Sequence, residues 1–87
     1  MVNRKAIKQD LLRFLSDASR GAIAITEENK YTPFCDLGAD SIMLYDMCFS
    51  IERRYEIQFE PNEFHSIREG SFSALQLLVE LKVDAHP

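Results

Sequence analysis

The stretch Phe34-Cys35-Asp36-Leu37-Gly38-Ala39-Asp40-Ser41-Ile42 marks the place where a loop gives way to a helix, and the rest of the fold follows from that boundary. Gly38 offers the backbone freedom that a tight turn needs, and Asp40 is a strong N-cap type. No Gly or Pro then appears until Pro61. A helix is therefore predicted from Asp40 or Ser41 to about Tyr55, roughly four turns long.

On the N-terminal side, Ser19 to Asp40 contains Gly21, Pro33 and Gly38 and has no sustained helical period, so it reads as a long ordered loop. A loop of this length in a small domain usually carries function. Ala22 to Thr26 mimics a strand, but no second strand signal exists to pair with it, so Ile23 and Ile25 are expected to pin the loop onto the helices. Ile7, Leu11, Phe14, Leu15 and Ala18 recur at spacings of three, four and seven, which predicts an amphipathic helix from about Asn3, its cap, to Ala18. On the C-terminal side, Glu60-Pro61 predicts a short third helix through about Ser66. Ser71 then caps a last helix whose Phe72, Leu75, Leu78 and Val79 point inward, ending near Lys82. The expected class is all-α: a four-helix bundle with a long first loop and a short third helix.

The composition agrees. Three Gly and three Pro are too few for a turn-dense β fold, and 87 residues suffice for one core but not two, so residues 1–87 are expected to form a single domain. With 46% hydrophobic and 28% charged residues the chain can bury enough apolar surface to fold. A formal net charge of -4 disfavours nucleic acid as a partner, since phosphate binding needs a basic face. No apolar run approaches the roughly 20 residues that span a bilayer. Arg4, Lys5 and Lys8 are followed by Asp10 and Arg13, which interrupt any signal-peptide core. A cytoplasmic monomer without a membrane partner is the simplest expectation. Cys35 and Cys48 form no C-x-x-C pair, and the only histidines are His65 and His86, so neither a disulfide framework nor a zinc site is indicated.

Ser41 opens the central helix, where the first amides lack intrahelical partners and the dipole end is positive; a phosphate ester would be stabilised there. Asp40 offers both a cap and a carboxylate beside the hydroxyl. Asp40 and Ser41 as a mere cap would explain the dipeptide, but not Asp36, Leu37, Gly38 and Ala39 in register ahead of it or the apolar Ile42 behind it.

Phe34 to Ile42 resembles the phosphopantetheine attachment motif of acyl and peptidyl carrier proteins, D-L-G-A-D-S-[LI] or F-x-x-L-G-x-[DH]-S, and the order of helices extends the likeness over nearly the whole chain. The resemblance implies that Ser41 receives a covalent 4'-phosphopantetheine from coenzyme A through a separate phosphopantetheinyl transferase. Leu37, Gly38 and Asp40 complete that site, with Asp40 helping the transferase and its magnesium to engage. It further implies a carrier, not an enzyme, whose arm holds acyl or aminoacyl groups as thioesters, and a free-standing one is expected. Its partners would be an acyltransferase or an adenylating enzyme, with synthases or tailoring enzymes.

At about 100° per residue, Leu44, Met47, Cys48, Ile51 and Tyr55 share one side of the central helix, the expected core face. Asp46, Ser50, Arg53 and Arg54 lie opposite or nearly so. Ile42, Tyr45 and Phe49 form a third strip beside the serine. Either the third helix or the first loop covers this strip, or Ile42, Tyr45 and Phe49, with Asp46 at their edge, are a docking surface for partner enzymes. Carriers of bacterial fatty acid synthesis are strongly acidic along this helix, whereas Arg53 and Arg54 dilute Asp40, Asp46 and Glu52, and Met43 and Leu44 stand where that branch is often polar. Recognition should then rest more on apolar contact than on steering by charge. A dedicated pathway, polyketide or nonribosomal peptide, is therefore favoured over housekeeping fatty acid synthesis. Polyketide or related secondary-metabolite biosynthesis is the first reading, with a nonribosomal peptide pathway or fatty acid synthesis as alternatives; an unmodified helical interaction module is the alternative outside the carriers.

Other reactive residues have plainer roles. Cys35 lacks a base to activate it, and Cys48 reads as a small buried hydrophobe. His65 belongs to no G-x-S-x-G elbow, and Asp36, Asp40 and Asp46 do not match a calcium loop. Glu27, Glu28 and Asn29 read as a solvated loop. Phe34, Tyr55, Phe59, Phe64 and Phe72 are expected in the core.

Overall fold

The computed structural model describes residues 3–85; His86 lies outside them. Among the described residues there are four helices, α1 (Arg4–Ser19), α2 (Ser41–Tyr55), α3 (Pro61–Glu69) and α4 (Phe72–Ala85), with a 3₁₀ turn at Phe34–Leu37. The all-α bundle with a long first loop is the expected architecture. Asn3 caps α1, its Oδ1 accepting from the Ala6 amide at 3.1 Å, and Ser71 Oγ accepts from the Ala74 amide at the start of α4.

Two helix ends and one turn differ from the sequence expectation. Helix α3 continues past Ser66 to Glu69 because no Gly or Pro intervenes before Gly70, its start being anchored by Pro61 and a capping box in which Glu60 and Glu63 exchange hydrogen bonds. Helix α4 continues past Lys82 to Ala85, since no breaker intervenes. The long loop holds the turn Phe34–Leu37, too short to show a period of its own. Ala22 to Thr26 is not a strand; Ile23 is buried, its amide held by Ser19 Oγ at 3.2 Å, and Ile25 packs half-buried on the core.

Ile7, Leu11 and Leu15 of α1, Leu44, Met47, Cys48 and Ile51 of α2, Ile67 of α3, and Phe72, Leu75 and Val79 of α4 close one core. Phe34 and Phe59 join it from the connections. Tyr55 and Phe64, expected inside, are only half-buried. Tyr55 stops at the rim because its hydroxyl must reach a polar partner, the Asp10 carboxylate on α1. Phe64 sits on a short surface helix with room only to lean on the core. On the far side of α4, Leu77 and Leu81 face solvent.

The loop is clamped to the junction of α3 and α4. The Phe34 amide donates to the Gly70 carbonyl at 2.9 Å and the Ser73 amide to the Lys30 carbonyl at 3.0 Å, beside an isolated antiparallel bridge between Pro33 and Ser71. Glycine is required at position 70, since a Cβ there would meet the Ser66 carbonyl oxygen at 2.9 Å. These contacts fix the chain that delivers Ser41.

Candidate functional site

Phe34, fully buried, anchors the 3₁₀ turn, and Gly38 ends it in the left-handed region at φ 86°, a conformation that a side chain would strain. Leu37 packs half-buried against the core and Ala39 is buried, so the loop is held on either side of Gly38. Asp40 is extended and caps α2, its carboxylate accepting from the Met43 amide at 2.8 Å. Ser41 is the first residue of α2 and is exposed. Asp40 serves the third amide of the helix, so those of Ser41 and Ile42 stand at its open, positive end. At the other end Arg53 and Arg54 complement the negative terminus.

Ile42, Tyr45 and Phe49 are brought together on the outer side of α2, at 79%, 46% and 53% exposure, so the strip is not covered by the rest of the molecule. With Ala18, Met43 and Asp46 they line a shallow apolar depression of about 380 Å³. The rings of Tyr45 and Phe49 stack at 6.3 Å between centroids. Asp46 is exposed at the edge of the strip.

A second hollow, about 140 Å³, opens at Ser41 between α2 and α3. Leu44, Tyr45 and Cys48 line it from α2, and Phe64, His65 and Arg68 from α3. Cys48 lies beneath its floor with no exposure, and burial, aided by the Glu52 carboxylate, pushes its thiol pKa up to about 12. This thiol stays protonated and unreactive. Cys35 is exposed on the turn.

A third helix ending near Ser66, as expected from the sequence, would leave Arg68 in a loop; by reaching Glu69 the helix brings Arg68 to this groove and gives it a basic lip that the sequence pattern does not reveal. The signals for a longer helix were present: Glu60 and Glu63 spaced as a capping box, and no breaker before Gly70. Among the described residues no group of three His, Cys, Asp or Glu side chains is placed to hold a metal ion, and no helix is long and apolar enough to cross a membrane.

A family model described as the phosphopantetheine attachment site matches residues 20–69. Comparison with curated proteins and with solved structures returned no match.

Proposed function

The chain belongs to the family of the phosphopantetheine attachment site and is a carrier protein with a covalent 4'-phosphopantetheine arm, and from that premise we propose that Ser41 bears the arm. The observation that supports this is an exposed serine at the first residue of a capped helix, three residues after a left-handed glycine. The residues present fit the group. Ser41 Oγ would supply the ester oxygen, the open amides of Ser41 and Ile42 would favour its negative charge, and Asp40 is held in place by Met43 beside the hydroxyl. When bound, the group supplies a terminal thiol that holds an acyl or aminoacyl group as a thioester.

Residues 1–87 act in this proposal as one carrier domain, a cytoplasmic monomer that transports intermediates without catalysing their reactions. The groove at Ser41, about 140 Å³, is smaller than the pockets of several hundred Å³ that enclose small substrates, which supports carriage over catalysis. Ile42, Tyr45, Asp46 and Phe49 form the docking strip for the phosphopantetheinyl transferase, for an acyltransferase or adenylating enzyme, and for synthases or tailoring enzymes. Its exposed apolar character supports a polyketide or related dedicated pathway.

Incubation with coenzyme A and a broad-specificity phosphopantetheinyl transferase, followed by mass spectrometry, should add one arm to the wild-type chain and none to Ser41→Ala. A gain that survives Ser41→Ala, or no gain in the wild type, overturns the assignment. Loading with a malonyl-transferring enzyme rather than an adenylating one would support the acyl over the aminoacyl reading.

A further inference from the structure

Helix α3 packs beside α2, and the two enclose the groove that opens at Ser41. Gly70, just past α3, accepts from the Phe34 amide of the turn that leads to Ser41, and Phe64, mid-helix, meets Tyr45 one turn into α2 at 5.0 Å. Arg68 and Ser41 line the same groove. Its guanidinium is exposed and makes no ion pair among the described residues. The other basic residue on the lip, His65, is engaged by Glu69 at 3.5 Å. An unengaged cation thus shares a small groove with the hydroxyl proposed to become a phosphodiester.

We propose that Arg68 is a positioning residue for the arm: it holds the phosphodiester on Ser41 against α3. Arg68 thereby directs the segment next to the phosphate along the groove rather than out into solvent. A guanidinium suits this role because its planar fork of donors matches two oxygens of a phosphate, with charge assistance. The proposal rests on Ser41 being the attachment point.

The test uses the whole chain, loaded with phosphopantetheine and verified by mass, as wild type, Arg68→Gln and the control Arg53→Gln. Absence of loading, or loading that persists in Ser41→Ala, would remove the attachment reading itself and is seen before any other measurement. With loading confirmed, the Arg68 Nε–Hε cross-peak of the wild type should shift between the unloaded and loaded forms, and that shift should shrink at high salt. The ³¹P resonance of the loaded chain should move in Arg68→Gln and stay in place in Arg53→Gln. An Arg68 cross-peak unmoved by loading, or a ³¹P resonance that responds alike to both substitutions, overturns the proposal. The first comparison needs no variant and does not depend on how Arg68→Gln folds.

Discussion

The ring of Tyr45 on α2 lies 5.0 Å, centroid to centroid, from that of Phe64 on α3, tilted by 55°. Phe64 in turn meets Phe59 edge-on at 5.9 Å, and Phe49 stacks on Tyr45 at 6.3 Å, so Tyr45 links the exposed Phe49 to a chain of rings that begins in the core. One contact thus divides the apolar strip of α2. Tyr45 is braced from behind by the third helix, while Ile42 and Phe49 on either side of it stay open to solvent.

That division predicts opposite outcomes at neighbouring positions. Phe49→Asp should leave helicity and melting nearly unchanged, because the residue is more than half exposed, while impairing turnover with partner enzymes. Ile51→Ala, two residues on and with no exposure, should cost about 2 to 5 kcal/mol through the cavity it leaves. Circular dichroism melts check both. A large fall in melting temperature for Phe49→Asp would place the ring in the core and remove the docking strip.

The two thiols should behave differently, one lying on the turn that precedes Ser41 and the other inside α2. Cys35 is exposed, whereas Cys48 is sealed and its pKa is pushed up to about 12, first by burial and then by Glu52. An aromatic disulfide reagent at mildly alkaline pH should label one thiol in the native protein and both in denaturant. Rapid labelling of both in the native state would show that the groove floor opens.

The helices and the serine were legible because their signals are local. Asp40 caps whatever helix follows it, Gly38 permits the turn before it, and the inward faces of α1 and α2 obey a simple period. What stayed hidden depends on residues distant in sequence. Phe34 forms a turn because Gly70 accepts its amide and the core closes over its ring. Tyr55 rests at the rim because Asp10, 45 positions away, accepts its hydroxyl. Arg68 lines the groove at Ser41 only because α3 runs one turn further and packs beside α2. No window of sequence contains those partners together.

Tyr55 also sets a limit at alkaline pH. Its hydroxyl donates to Asp10, and burial, then the Asp10 carboxylate, raise its pKa from 10.0 to about 12. The folded value is the higher one, so this contribution is complete below about pH 10 and declines as the pH rises towards 12. Tyr55→Phe should lose about 1 kcal/mol at neutral pH and show a shallower loss of stability above pH 10 in denaturant titrations. Identical alkaline slopes for the two proteins would mean that the bond between α1 and α2 does not form.

Glu63 works at the opposite end of the pH scale. Its carboxylate accepts from the Glu60 amide at 2.7 Å and from Lys82 of α4 at 2.8 Å, so one side chain both starts α3 and ties it to α4. Burial acts to raise its pKa, but the Glu60 amide and Lys82 together outweigh burial and the net displacement is downward from 4.5. A carboxylate whose folded value is the lower one stabilises the protein above its unfolded value and ceases to do so as the pH falls through the folded value. Glu63→Gln keeps a side chain that can complete the capping box and loses only the charge facing Lys82, so it should cost up to about 1 kcal/mol at neutral pH. Glu63→Ala removes the box as well and should cost about 1 kcal/mol more. The gap between wild type and Glu63→Gln should close as the pH drops below 4.5, where the wild-type carboxylate takes up its proton. Urea titrations at neutral and acidic pH measure all three quantities. A gap that persists unchanged in acid would show that Glu63 acts through packing, and that α3 is held against α4 without the charge on Lys82.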